Sequence, residues 1–448
     1  MVQQLSESRT VWKIAWPLIL TNILNVLVGI VDLKMVGALG VAAIAAVGMG
    51  RQVMNLVFVI MIAISGGSSI VIARAFGAGN RESVSIVGAR TLVYMAFTAV
   101  LLVTPLGYFT SRPFLIALGG DAEVVELGSQ YLRIIFLGSL FTMFNFGITS
   151  VLLGVGRTQI SLVLLLCVNS LNIVFNYIFI FGAGPIPPLG IAGAAWGTVV
   201  SRGLGMVAGI GIAISPRFPI KADFRKAFVL DWHLIGQIVK LGGPRSLQGV
   251  VRNLSRLLTI RIITLLAGAT AMISAYSVGM QVRMTSTFVG LAFMQAAAVR
   301  VSQNMGAKNT DRAVASGCTA SVMAMGIMSF LAVLMILFPE QIMGFFTTDP
   351  EVIAMGRSFF VIVAISEPVM AFAFAIGGAL RGGGDSVSPF IYSSISDVVV
   401  VSAAGYIFAV TLGMGFPGIA LGLAISSLTR AIPTTLKYRQ GKWKSIRI

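Results

Sequence analysis

Apolar runs long enough to cross a bilayer dominate the chain, and short polar stretches separate them. The pattern predicts helices near residues 14–36, 53–74, 86–109, 124–152, 159–182 and 189–213. A second set is predicted near 238–267, 280–303, 314–338, 352–380, 387–410 and 415–435. Several exceed the roughly 20 residues that span the hydrocarbon, so tilting or extension past the lipid is expected. The first stretch lacks a small-residue cleavage site and reads as a span rather than a cleaved signal. The expected fold is an all-α membrane protein of twelve transmembrane helices in two six-helix bundles. Residues 1–215 form the N-terminal bundle, 216–234 a cytoplasmic linker, and 235–448 the C-terminal bundle with a basic tail.

Composition supports the membrane class. Hydrophobic residues make up 57% of the chain and charged residues 10%, against about 25% charged in a soluble domain. A net charge of +17 raises the question of nucleic acid, but the positions of the bases answer it. Arg74, Arg81, Arg157, Arg217, Lys221, Arg225, Lys226, Lys308, Arg312 and Arg381 fall in alternate loops, and Lys437, Arg439, Lys442, Lys444 and Arg447 fall in the tail. The opposite loops hold few bases beyond Arg51 and Arg112, and Asp121, Glu123, Asp349 and Glu351 gather there. This asymmetry places both termini in the cytoplasm of a plasma (inner) membrane protein. Cys167 and Cys318 lie in apolar segments and read as packing residues. His233, the single histidine, leaves no cluster for metal or acid–base chemistry. No Walker-type loop precedes a helix, which argues against direct use of ATP. The expectation is a monomer with no cofactor, embedded in the bilayer, with a small organic molecule as its partner.

The two halves echo each other at an offset of about 228 residues. GAGNRE at Gly77–Glu82 returns as GAKNTD at Gly306–Asp311, and DAEVV at Asp121–Val125 as DPEVI at Asp349–Ile353. LGVGRT at Leu153–Thr158 returns as LRGGGDS at Leu380–Ser386, and GIAGAAWG at Gly190–Gly197 as GFPGIALG at Gly415–Gly422. Pro17 and Pro244 open the first helix of each half. An even number of spans per repeat makes both halves enter the membrane the same way, so the pseudo-two-fold axis runs parallel to the membrane normal. Such a pair suits alternating access.

These motifs, with AWPLIL at Ala15–Leu20, VDLKMVGALG at Val31–Gly40 and SLNIVFNYIFIFG at Ser170–Gly182, resemble the multidrug and toxic compound extrusion (MATE) family over essentially the whole chain. The resemblance is more to its DinF branch than to its NorM branch. It implies an antiporter, not an enzyme: protons or sodium flow inward while an amphipathic organic compound or drug leaves. The wider superfamily includes lipid-linked sugar flippases, so the alternative is a flippase for an anionic lipid-linked substrate.

Polar residues inside the spans carry the candidate chemistry, because a charge at the bilayer centre costs about 2.5–3.5 kcal/mol. Asp32 lies in the outer part of the first helix. Asn172 and Asn176 stand one turn apart on one face of the fifth, and Thr198 lies about 13 Å into the sixth at roughly 1.5 Å per residue. All four reach a similar depth. Carboxylate, amide and hydroxyl oxygens suit sodium, while Asp32 alone can carry a proton. By the resemblance, Asp32, Asn172 and Thr198 match the family's archaeal-type cation site, and Asn176 replaces an aspartate. Pairing of Asp32 with Lys34 or an arginine, and simple interhelical hydrogen bonding by the asparagines, stay open.

In the second half, Arg245, Arg252 and Arg256 share one face of the seventh helix. Arg252 and Arg256 lie near mid-span, and Glu367 and Asp397 sit at comparable depth. A buried ionic cluster of Arg252, Arg256, Glu367 and Asp397 is expected, since unpaired they would be costly. By alignment with the family, Arg252 takes the place of a glutamate essential in one branch, so that branch's second cation site is missing. A proton relay, an anion-tolerant substrate surface and a static lock are all compatible with such a cluster.

Overall fold

The structure is a computed structural model of the whole chain and describes residues 2–215 and 227–446. Among them run twelve long helices: α1 (Val2–Gly37), α2 (Val41–Gly77), α3 (Arg81–Ala117), α4 (Ala122–Leu137 continued by Ser139–Gly154), α5 (Thr158–Phe181), α6 (Gly190–Ile214), α7 (Trp232–Ile263), α8 (Ala269–Gly306), α9 (Thr310–Leu337), α10 (Pro350–Gly383), α11 (Val387–Thr411) and α12 (Phe416–Arg439). Ten are long and apolar enough to cross a membrane, and the two arms of α4 form an eleventh span bent by 52°. Only α7 falls short, because Lys240, Arg245, Arg252, Arg256 and Arg261 dilute its apolar stretch. Large apolar side chains such as Leu101, Phe109 and Val207 are exposed on the helix surfaces, as a lipid solvent requires.

The repeated motifs have local physical reasons. In GAGNRE, Asn80 caps α3 by accepting the Ser83 N–H at 2.9 Å; in GAKNTD, Asn309 caps α9 by accepting the Arg312 N–H at 3.0 Å. The residue before each cap is left-handed, Gly79 at φ 71° and Lys308 at φ 57°. GIAGAAWG and GFPGIALG are packing surfaces. A Cβ at Gly193 would sit 2.2 Å from the Phe179 carbonyl oxygen on α5, and one at Gly418 would sit 2.4 Å from the Ala409 nitrogen on α11. Without a hydrophobic force between helices in lipid, such close backbone approach is what holds neighbours together. The bend in α4 falls at Gly138, where a Cβ would lie 2.4 Å from Val199 on α6.

Two compact units emerge: residues 20–243, and residues 1–19 with 244–448. This differs from the division expected at a 216–234 linker. The change falls just after Pro17 in α1 and directly before Pro244 in α7, so each repeat's first helix starts in one unit and ends in the other. Residues 216–226 of that linker, with Arg217, Lys221, Arg225 and Lys226, lie outside the described residues, as does Arg447.

An acid secures the start of the first helix of each repeat. In the 20–243 unit, Asp231 accepts the Leu234 N–H at 3.0 Å as the cap of α7, and its other oxygen pairs with Arg90 at 2.6 Å. Close packing continues along α7, where a Cβ at Gly242 would lie 1.8 Å from the Ala63 carbonyl oxygen of α2. In the other unit, Glu7 is buried and takes a two-pronged pair from Arg300, at 2.8 and 2.9 Å, with Ser316 donating at 2.9 Å and Arg312 at 3.3 Å. The polar start of α1 reads as solvent-facing in sequence, yet its Glu7 is buried among the arginines of α8 and α9. That is why α1 begins near residue 2 instead of 14.

Candidate functional site: a polar chain in one unit and paired charges in the other

Within the 20–243 unit, the polar residues of α1, α5 and α6 meet. Asn176 donates its amide to Asp32 Oδ1 at 2.9 Å, Asn172 donates to Asn176 Oδ1 at 3.3 Å and to Thr198 Oγ1 at 3.2 Å, and Thr198 donates to the Ala194 carbonyl at 3.0 Å. Both asparagines are buried. The direction of the chain follows from the carboxylate: an ionised Asp32 only accepts, so Asn176 must present N–H to it and turn its oxygen to Asn172. The helix spacing of four residues aligns the two amides, and Gly197 gives them room. A Cβ there would lie 2.1 Å from Asn176 Oδ1.

The alternative partners of Asp32 are not used. Lys34 is exposed and makes no ion pair with it among the described residues. Arg51 and Arg202 attract the carboxylate through space but donate elsewhere, Arg51 to the Gly29 carbonyl at 3.0 Å and Arg202 to Thr142 at 2.8 Å.

Within the other unit the expected cluster of Arg252, Arg256, Glu367 and Asp397 is corrected. Glu367 is fully buried on α10 and pairs with Arg283 of α8 at 2.8 Å, and it also accepts from Ser286 at 2.6 Å. Asp397 on α11 pairs with Arg430 of α12. Arg252 and Arg256 are exposed and make no ion pair among the described residues. Depth along a helix sets the height of a charge but not its azimuth, and α8 and α12 are the neighbours that α10 and α11 present to these carboxylates. Asp397 also sits in a π-helical turn, Ile395–Val400. Its backbone carbonyl accepts from Ser255 of α7. Arg430 further stacks over the Phe374 ring at 5.5 Å.

A family model described as MatE matches residues 17–178 and 244–407, one stretch in each repeat. The chain belongs to the MatE family of membrane transporters. Its curated relatives include the Probable multidrug resistance protein NorM of Thermotoga maritima, 28% identical over 96% of this chain and 92% of that one. The Uncharacterized transporter YisQ of Bacillus subtilis is 25% identical over 97% and 94%. Among solved structures, the Vibrio cholerae MATE transporter VcmN in its bent form superposes with a TM-score of 0.90 at 20% identity, over 98% of both chains.

A MatE protein is a transporter and not an enzyme, and the twelve-helix architecture is that of the family. Three residues important to its charge balance escaped the sequence reading. Arg283 and Arg430 sit within apolar helices at positions a charge scan would flag, yet Glu367 and Asp397 were assigned to the more conspicuous α7 stripe. Glu7 gave a fainter signal, one acid in the polar segment QQLSESRT before the first apolar run.

Proposed function

We propose that the chain is a proton-coupled antiporter that exports amphipathic organic compounds by alternating access. The observation that carries this reading is the Asp32–Asn176–Asn172–Thr198 chain. It offers one carboxylate, and one carboxylate is sufficient to carry one proton. Asp32 can take that proton on its free oxygen while Asn176 stays bonded to the other. A sodium ion would need several oxygens turned toward it, whereas the Asn176 and Thr198 oxygens are engaged by the Asn172 amide. Sodium therefore ranks second as coupling ion. Export of drug-like compounds is in keeping with the multidrug resistance names of the NorM relatives. The distribution of bases supports both termini in the cytoplasm of the plasma membrane. The protein acts as a monomer. The DinF-like reading of its branch rests on the match at Asp32, Asn172 and Thr198 and on the arginine at 252.

The test is purified protein in proteoliposomes, with pH and sodium gradients imposed separately and efflux of fluorescent amphipathic organic compounds recorded. A pH gradient should drive export, and Asp32→Asn should abolish it while leaving expression and thermal stability nearly unchanged. Undiminished export by a well-folded Asp32→Asn protein would end the assignment. Transport driven by sodium at equal pH on both sides would reverse the choice of ion.

A further inference from the structure

Three guanidinium groups in the unit formed by residues 1–19 and 244–448 converge, and none of them makes an ion pair among the described residues. Arg381 on α10 is 3% exposed. Its Nη2 donates to Gln248 Oε1 at 2.6 Å, its Nη1 points at Met294 Sδ at 3.0 Å, and its Nε has no partner among the described residues. Arg245 on α7 points its Nη1 at the same sulfur, at 3.7 Å. Two cationic forks thus share one thioether, a weak acceptor. Gln248 is held in place from its other end, donating to Ser393 at 2.5 Å. Arg381 also feels the repulsion of Arg252 and Arg430, and Arg245 that of Arg252.

The acids of this unit do not neutralise the group. Glu367 is committed to Arg283 and Ser286, and Asp397 to Arg430. Arg252 is drawn to Asp397 through space but makes no ion pair with it. Taking a charge out of water costs several kcal/mol per ion unless a counter-charge compensates it. An uncompensated set of guanidinium groups with a vacant N–H is therefore a poor structural lock and a good receptor. The planar fork of arginine matches carboxylate and phosphate oxygens in particular.

We propose that Arg245, Arg252 and Arg381, oriented by Gln248, form a binding site for the oxyanion head, carboxylate or phosphate, of an amphiphile that this transporter moves. Arg252 is exposed and makes the first contact; Arg381 supplies the buried, unpartnered N–H. The cargo is then an anionic or zwitterionic amphiphile. The inference rests on the transporter reading for its purpose, but binding in detergent does not depend on coupling or export.

Purified protein in a nonionic detergent is titrated with octyl phosphate, octanoate and octyltrimethylammonium, three amphiphiles sharing one tail, and thermal unfolding is followed. The two anions should raise the midpoint and the cation should not. Arg252→Gln and Arg381→Gln should each weaken anion binding at least about tenfold, and Arg256→Gln, on the same helix but outside the group, should leave it unchanged. If Arg381→Gln does not fold, Arg252→Gln and Arg245→Gln carry the same readout. Equal affinity in the wild type and the Arg245 and Arg252 variants would overturn the site, as would equal stabilisation by the cation. Reconstituted vesicles then identify the source of the head group. Flux of entrapped octanoate would point to a solute, and dithionite access to a fluorescent phosphatidylglycerol to a lipid. Loss in Arg252→Gln of whichever flux the wild type shows supports the proposal, and a flux insensitive to that change refutes the role in transport. Failure of proton-driven export with anion binding intact would instead count against the proposed function alone.

Discussion

Removing one member of the Arg283–Glu367 pair should cost far more than removing both. The carboxylate of Glu367 is 1% exposed and the side chain of Arg283 6%, and the pair is joined at 2.8 Å with Ser286 as a second donor to the acid. Arg283→Met leaves the carboxylate with one hydroxyl and no counter-charge. Glu367→Met leaves a guanidinium whose Nη2 already lacks a partner. Breaking a buried pair from one side costs about 3–5 kcal/mol, whereas replacing both members with apolar side chains of similar volume is close to neutral. At 1.4 kcal/mol per factor of ten, each single variant should shift the folding equilibrium by roughly two to three and a half orders of magnitude.

The assay is thermal unfolding in detergent followed by tryptophan fluorescence, with all members of the cycle measured together. Cysteine-reactive dyes would not serve, because Cys167 and Cys318 are already exposed in the folded protein. Two internal controls set the scale. Arg357 and Glu340 also pair, at 3.0 Å, but are 64% and 58% exposed, so breaking that pair should cost no more than about 1 kcal/mol. Arg252→Ala should likewise be mild, since no carboxylate loses its partner. Losses that simply add in the Arg283→Met/Glu367→Met protein would show that the two groups do not compensate each other. The argument from burial would then be wrong.

Gly197→Ala should abolish or sharply reduce export, because its Cβ would occupy the place of Asn176 Oδ1 and push the amide off Asp32; overpacking of this kind costs about 1–3 kcal/mol. Wild-type export by Gly197→Ala vesicles would mean that the Asn176–Asp32 bond is dispensable. Glu7→Gln should lower the unfolding midpoint by leaving Arg300 without its carboxylate, and the Glu7→Gln/Arg300→Gln protein should recover part of the loss; no recovery would separate the two residues. Asp231→Ala should cost about 1 kcal/mol through loss of the α7 cap. The Leu234 N–H, with Arg90, holds the Asp231 carboxyl below the usual aspartate range. A lowered folded-state value means that its stabilisation is complete above the ordinary aspartate pKa and is lost as pH falls through the folded one. The gap between wild type and Asp231→Ala should therefore be constant near neutrality and close only below about pH 4, and a gap that closed near pH 6 would implicate another group.

The spans were legible because lipid imposes a one-dimensional code, length and apolarity, on every helix that faces it. The Asp32, Asn172, Asn176 and Thr198 group was legible for a related reason. The helices of Asn176 and Thr198, α5 and α6, are consecutive in sequence and packed together, so equal depth came close to implying contact there. Asp32 on the distant α1 was placed by its depth and by the family resemblance. The same logic failed in the second repeat. Glu367 and Asp397 had several arginines at their depth, and which one each meets depends on how α8, α10, α11 and α12 are rotated about their own axes. Periodicity gives the face that Arg252 shares with Arg256; it does not say which helix that face meets. The start of α1 was hidden by a different effect. The segment around Glu7 looks like a solvated leader, but a polar residue can also be buried when it meets complementary charge, as Glu7 does with Arg300 and Arg312.

That last feature connects the two repeats. Each begins with a long helix carrying a proline, Pro17 in α1 and Pro244 in α7, and in each the residues before or at the proline belong to the unit that holds the other repeat. Both starts are polar enough to be weak spans on their own, and both are secured by an acid on an arginine: Glu7 on Arg300 and Arg312, Asp231 on Arg90. The acids do not align in the repeat, since Asp231 precedes Pro244 by 13 residues and Glu7 precedes Pro17 by 10. What the two repeats share is the physical arrangement and not the residue: a helix whose first turns need an ionic anchor, and a basic side chain on a helix of the other repeat to provide it. Motifs such as the Asn80 and Asn309 caps survive as letters because a cap must sit one residue before its helix. An ion pair between long side chains tolerates a slip along the helix, so it can persist after the letters that made it have drifted.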